Sequence, residues 1–218
     1  MPGDLALLAP HLVFEQLPLR RVFETPNKPI KNVFFLTAGI ASVVASTVEN
    51  KPIEVGIIGR EGMSGMAVVM GNHRAPYETY IQVAGEGWRI ATENLRDAID
   101  KSTTMRATLL KFVQAFMVQT AHTAIANGRA TLEQRLARWA LMAHDRLDGN
   151  DLPLTHEFLS LMLSVRRAGV TETLQTLESQ GVIRSARGMI TVIDRPALKR
   201  LAGGYYGLPE AELKRLLS

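Results

Sequence analysis

The chain of 218 residues contains no cysteine. This absence excludes disulfide bonds, iron–sulfur clusters, thiolate-ligated haem and cysteine-based redox sensing. The five histidines show no paired spacing of the kind that metal ligands adopt. We therefore expect neither a metal site nor a resident cofactor.

Long hydrophobic runs are also absent. The longest uncharged, apolar-leaning run covers residues 33–48, which is too short and too rich in Thr and Ser to span a bilayer. Residues 1–4 lack the basic region that opens a signal peptide, so a cytoplasmic location is expected. The length suits one large domain or two small ones, and the net charge of +4 suits an anionic partner.

The chain changes character near residue 100. From about residue 17 to residue 91, short strand-like runs alternate with turn residues, for example at 38–39 and 85–87. Many short strands at regular spacing are typical of a small antiparallel barrel or jelly roll. We therefore predict an α+β chain whose residues 1–100 form an antiparallel β-roll, resembling a jelly roll or a cupin.

Helical patterns follow. A short helix is predicted over residues 92–99 and a long one from residue 102 to about residue 126. Residues 101–128 are assigned to a dimerisation helix, because apolar positions on it alternate by three and four, as a two-helix seam requires. This face could instead simply pack on the β-roll, and we expect it to do both. The predicted seam consists of Leu110, Val113, Met117, Thr120 and Ala124.

Residues 155–193 have the order of a winged helix-turn-helix inside a domain covering residues 129–218. Thr155 is placed to cap a short helix, a break follows at 163–165, and a second helix runs from Arg166 to Gln180. Two β-branched runs then flank a turn at 186–188, as in a hairpin. A small α+β subdomain with solvated arginines would show the same order. Residues 165–200, however, hold seven basic and three acidic side chains, a charge excess that favours DNA.

Three segments of the sequence are specific enough to suggest a protein family: Glu133 to Trp139, Val165 to Thr171, and Gly59 to Met63. With them, nearly the whole chain resembles the CRP/FNR superfamily of bacterial transcription regulators. The resemblance implies a homodimer that reads a palindromic site in double-stranded DNA, with RNA polymerase as a further candidate partner. It also implies that the protein is not an enzyme. The alternative of a cupin-like enzyme lacks support, since residues 17–91 offer His73 as their one histidine.

The resemblance also assigns DNA contacts. Arg167 matches the arginine that reads a base, usually guanine, and Arg166 is placed to hold a phosphate. Ala168 stands where the best-studied members carry glutamate, so the DNA site is expected to differ from theirs. Ser164 replaces the usual turn glycine, which predicts strain in the turn. The other implied DNA contacts are Thr155, Gly169, Thr171, Arg184 and Arg187.

The effector site is less well defined by the sequence. Cyclic-nucleotide binders of this fold use a glutamate and an arginine in a phosphate-binding cassette, but Glu78 sits near the expected arginine, so cyclic AMP is not the expected ligand. Arg60 and Glu61 are expected to pair with each other or to stabilise a turn. Another small effector, or none with the β-roll acting only as a scaffold, remains open. The candidate pocket consists of Gly59, Arg60, Glu61, Met63, Met66, Tyr77 and Thr79.

Overall fold

The N-terminal part of the chain is a β-roll, in a computed structural model that describes residues 2–49 and 52–218. Its strands pair antiparallel in the order β1-β5-β3-β4, and β2 pairs with β5. The architecture confirms the predicted α+β class. The elements are α1 (Pro2–Leu8), a 3-10 turn (Ala9–His11), β1 (Val13–Leu17), β2 (Val22–Glu24), β3 (Asn32–Ser46), β4 (Pro52–Ile58), α2 (Met66–Val69) and β5 (Glu78–Ala91).

Strands β3 and β5 are each continuous, whereas the sequence predicts a break in both. The predicted turns are irregularities inside the strands, where the register of β3 against β5 shifts. A Cβ on Gly39 would lie 2.6 Å from the Val83 carbonyl oxygen, and a Cβ on Gly85 would lie 2.1 Å from that of Ala38. The glycines are therefore required by close backbone approach within a bulged ladder, and they do not end the strands.

Two helices follow the roll, as predicted: α3 (Thr92–Lys101) and the long α4 (Thr103–Arg129). Ser102 caps α4, since its Oγ accepts a hydrogen bond from the Met105 N–H at 3.1 Å. The sequence predicts that the helix ends near Asn127 and Gly128, but it continues through both residues to Arg129. Phe112 and Phe116 face the roll and join its core.

The C-terminal domain is a winged helix-turn-helix. A capping box between Thr131 and Gln134 starts its first helix, which ends at His144. The hairpin carries a third strand in the order β6-β8-β7. The elements are α5 (Leu132–His144), β6 (Asp151–Leu152), α6 (His156–Met162), α7 (Arg167–Ser179), β7 (Ile183–Ala186), β8 (Met189–Val192), α8 (Arg195–Ala202), a 3-10 turn (Gly203–Tyr205) and α9 (Leu208–Leu217).

The two parts of the chain share a core. Ile40, Ile57 and Val83 of the roll belong to the same buried cluster as Trp139 of α5 and Leu159 of α6. The final helix α9 packs along α4. None of the helices in the described part of the chain is long and apolar enough to cross a membrane.

Candidate nucleic-acid interface

Buried leucines and valines hold α6 and α7 at a fixed angle. Leu159 on α6 and Val170 and Leu174 on α7 are each no more than 1 % exposed. Thr155 caps α6 as predicted, with its Oγ1 accepting a hydrogen bond from the Phe158 N–H at 3.1 Å. The pair of helices is therefore a rigid platform, in which the side chains on the outer face of α7 have defined positions.

The turn between the helices carries the strain that the sequence predicts. Ser164 has a φ of +50°, in the left-handed region that favours glycine. The Val165 N–H donates to the Ser160 carbonyl at 3.0 Å, and the Arg135 guanidinium donates to the Leu163 carbonyl. These bonds keep the turn tight although a non-glycine residue occupies it.

The N-terminal end of α7 presents two free cations. Arg166 is the N-cap residue and Arg167 the first helical residue, and both are exposed. Neither guanidinium forms a hydrogen bond or ion pair with any described residue. Both charges are therefore available to a ligand, at the end of the helix where the backbone dipole also favours an anion.

The wing extends the basic surface. Arg184 lies on β7 and Arg187 in the turn before β8, and both are exposed. The Ser185 N–H donates to Glu178 Oε1 at 3.0 Å, which ties the wing to the end of α7. Arg195, by contrast, is bound to Asp145 and Tyr206, so one of the seven basic side chains of this region is already paired.

Two of the implied DNA residues have roles inside the protein. Thr171 Oγ1 donates to the Arg167 carbonyl and lies 3.0 Å from His156 Nδ1, so it joins α7 to α6. A Cβ on Gly169 would lie 3.4 Å from Leu132 Cδ2. Gly169 thus lies beside Leu132 of α5.

The exposed face of α4 differs from the predicted dimer seam in two residues. Leu110, Met117 and Ala124 are exposed, but Val113 is only 5 % exposed and Thr120 is half-buried. Spacing alone does not determine which side of a helix is free, and Val113 lies on the side covered by packing within the chain. The exposed stripe that alternates by four and three consists of Ala107, Leu110, Gln114, Met117, Ala121, Ala124 and Gly128.

The residues of the candidate effector pocket lie in two places. Arg60 does not pair with Glu61: its Nη1 donates to Asp148 Oδ1 at 2.8 Å, and Glu61 accepts from Arg146 Nε at 2.7 Å. Glu61 does stabilise the turn, since it also accepts the Gly59 N–H at 3.3 Å. A Cβ on Gly59 would meet Arg146 as well. These three residues therefore connect the roll to the end of α5. Of the others, Met63 and Thr79 are buried in the roll, Met66 is half-buried and Tyr77 is exposed.

Glu24 is a site residue that the sequence does not predict. This buried carboxyl accepts the Gly65 N–H at 2.8 Å, at the start of α2, and is also hydrogen-bonded by Thr79. Burial raises the pKa of Glu24 above its ordinary value, against the effect of these two bonds. No local pattern identifies this residue, because its partners lie more than 40 residues away in the sequence. In the described residues, no group of three or more His, Cys, Asp or Glu side chains is placed to hold a metal ion.

Comparisons with known proteins agree with this geometry. Residues 134–201 match the family model of the Crp-like helix-turn-helix domain, a segment that contains α6, α7 and the wing. The sequence matches none of the curated proteins.

Solved structures share the fold over nearly the whole chain. FixK2 from Bradyrhizobium japonicum has a TM-score of 0.74 at 14 % identity, covering 88 % of this chain and 98 % of that one. A CRP/FNR-family transcriptional regulator from Eubacterium rectale has a TM-score of 0.71 at 16 % identity, covering 93 % and 94 %. The c-di-GMP-responsive global regulator CLP of Xanthomonas campestris has a TM-score of 0.67 at 15 % identity, covering 88 % and 99 %. These structures share the predicted fold, and the family model identifies residues 134–201 as a Crp-like helix-turn-helix domain.

Proposed function

We propose that the protein, a DNA-binding transcription regulator of the CRP/FNR type, reads a palindromic site as a homodimer. The observation that carries the proposal is the end of α7, where Arg166 and Arg167 are exposed and unpaired within a Crp-like helix-turn-helix. A helix fits the major groove, and its N-terminal residues are the ones that reach base edges.

The basic side chains have two different roles, recognition of a base and contact with phosphates. Arg167 donates two hydrogen bonds to the O6 and N7 atoms of a guanine, a contact that provides about 1 to 3 kcal/mol of discrimination. Arg166 and the wing residues Arg184 and Arg187 hold phosphates, and these contacts fix the position of the domain without selecting a sequence. The base reader therefore sets which site is bound, and the other cations set how tightly any duplex is bound.

The dimer forms along the exposed stripe of α4. Its alternating spacing of four and three places one continuous face toward a second helix, with Leu110 and Met117 as its large apolar side chains. Ala121, Ala124 and Gly128 allow the two helices to approach closely near the C-terminal domains. A two-fold axis through this seam would present two α7 helices to successive major grooves, about 34 Å apart.

The β-roll does not take a cyclic nucleotide at the start of α2. The Glu24 carboxyl already accepts the Gly65 N–H there, so this donor is not free to bind a phosphate. An ionised carboxylate at hydrogen-bond distance would repel a phosphate. Any effector of this roll is therefore a molecule of another class, and the alternative is a roll that serves only as a scaffold.

Two measurements on the purified protein test the proposal together. Sedimentation equilibrium is expected to give a dimer, and binding to a random duplex is expected to weaken steeply as salt rises, because phosphate contacts release counterions. Titration with cyclic AMP is expected to leave both results unchanged. A monomer that binds duplex DNA would contradict the reading of a palindromic site. A protein whose DNA affinity does not depend on salt would contradict the proposed DNA-binding function.

A further inference from the structure

A buried carboxyl group lies between the β-roll and the C-terminal domain. Glu54 of β4 is 5 % exposed, and its Oε1 accepts the indole N–H of Trp139 on α5 at 2.6 Å. Its Oε2 lies 2.6 Å from Ser42 Oγ on β3, and Ser42 in turn contacts Met162 of α6 at 3.7 Å. The carboxyl group is thus the centre of a buried polar cluster that joins the two domains.

The cluster contains more acceptors than protons if Glu54 is ionised. The Ser42 hydroxyl has one proton, but it faces both Glu54 Oε2 and the amide oxygen of Gln82. The Gln82 side-chain nitrogen is buried without a partner among the described residues. A proton on Glu54 satisfies the contacts among the oxygens, since Glu54 then donates to Ser42 and Ser42 donates to the Gln82 amide oxygen, and only the Gln82 nitrogen stays unpaired.

No cation forms an ion pair with Glu54 among the described residues. The charges of Arg138 on α5 and of Arg146 just after it favour the ionised form, but their effect on the pKa of Glu54 is smaller than that of burial. Arg138 donates to the Tyr205 carbonyl at 3.0 Å, and Arg146 is paired with Glu61 at 2.7 Å. An ionised carboxylate that is buried without a salt-bridge partner is strongly disfavoured.

We propose that Glu54 is a proton-operated latch between the β-roll and the DNA-binding domain. The protonated carboxyl group holds Trp139 and keeps the domain docked, and ionisation favours a conformation in which the domain is released and the carboxylate is hydrated. The latch sets how firmly α5, and with it the reading helix α7, is fixed relative to the roll. It operates whichever DNA site the protein reads.

The acid–base properties of the surroundings support this role. Burial raises the pKa of Glu54 to about 7, against the lowering effect of the Ser42 and Trp139 hydrogen bonds. Burial and the charges of Glu54 and Glu78 raise the pKa of Tyr80 on β5 to about 12, so this phenol stays neutral near pH 7.

The remaining charged neighbour is a further arginine of α5. Arg135 donates to the Leu163 carbonyl, and its pKa, although lowered by burial, starts from the high value of a guanidinium. The described residues that line the small cavity beside Glu54 include no histidine. Among Glu54, Tyr80 and Arg135, Glu54 is therefore the group whose charge changes around pH 7.

The expected size of the effect follows from linkage. The pKa of Glu54 is about 7 when docked and close to the ordinary value of 4.5 when released. Because the docked pKa is the higher one, the proton favours docking fully below pH 4.5, and this contribution is lost as pH rises through about 7. The equilibrium constant for release is then about tenfold larger at pH 8 than at pH 6.

Hydrogen exchange of the Trp139 indole N–H tests the latch on the full-length protein. Trp88→Phe leaves Trp139 as the single tryptophan, so its indole signal in NMR spectra is unambiguous. Exchange rates divided by the intrinsic indole rate at each pH give the opening constant. We expect this constant to rise about tenfold from pH 6 to pH 8. In the same background, Glu54→Gln should give a constant that does not change with pH, because the amide is neutral throughout.

Three results would overturn the proposal. The first is an opening constant that is independent of pH in the Trp88→Phe protein. The second is an unchanged pH dependence in Glu54→Gln. The third is equal opening at Trp139 and at the Val43 amide of β3, since that would show unfolding of the whole chain instead of domain release.

Infrared spectra provide an independent test. A band of a protonated carboxyl group in an apolar environment is expected at pH 6 and should diminish by pH 8, and its loss in Glu54→Gln separates it from any band of the buried Glu24. If the Gln82 amide were instead rotated by 180°, its nitrogen would satisfy Ser42 and Glu54 would be ionised throughout. The band would then be absent at pH 6, and the latch would be refuted.

Discussion

Replacing Arg167 by alanine separates base reading from general DNA affinity. The Arg167 side chain is exposed and makes no hydrogen bond or ion pair with any described residue, so its removal should leave the stability of the fold unchanged. One bidentate contact to guanine provides about 1 to 3 kcal/mol, and a dimer makes two such contacts on a palindrome. The expected loss on the specific site is therefore about 2 to 6 kcal/mol, or roughly thirty-fold to twenty-thousand-fold.

The assay is fluorescence anisotropy at fixed salt, with a palindromic site chosen by selection and a random duplex of the same length. Arg167→Ala should lose most of its preference for the palindrome, while its affinity for the random duplex falls far less. Arg96→Ala is the matched control, because Arg96 is an exposed arginine on α3, outside the C-terminal domain. Equal losses on both duplexes would contradict the assignment of Arg167 as a base reader and would make it a phosphate contact.

Three further changes test other parts of the account. Met117→Glu places a charge in the α4 stripe, where Met117 is 64 % exposed in the single chain, and sedimentation should show monomers, whereas Thr108→Glu outside the stripe should remain a dimer. Arg184→Ala should weaken binding to specific and random duplexes by a similar factor and reduce the salt dependence by about one phosphate contact per subunit. Leu159→Ala removes a fully buried side chain from between α6 and α7 and should lower the free energy of unfolding by about 2 to 5 kcal/mol in urea titrations.

The elements that the sequence predicts best are those determined by neighbouring residues. The Thr155 cap, the strained turn at Ser164 and the hairpin after α7 all depend on residues within a few positions, and all are present. The same holds for α4, whose N-terminal cap is the adjacent Ser102.

The features that the sequence does not predict depend on distant partners. Gly39 and Gly85 are typical turn residues in isolation, but the opposing strand makes each a bulge. The three-and-four spacing on α4 is satisfied by two different stripes, and only the packing of the chain covers Val113. Glu54 is an ordinary strand residue until Trp139, 85 positions later, is brought against it.

The most direct test of the central claim is selection from a pool of random duplexes by the purified protein without added ligand, followed by sequencing. We predict an enriched palindrome whose half-sites are centred one helical turn apart, about 10 to 10.5 base pairs, with a guanine in each half-site that Arg167→Ala no longer selects. Enrichment of no sequence, with binding that depends only on salt, would contradict sequence-specific reading by the unliganded protein.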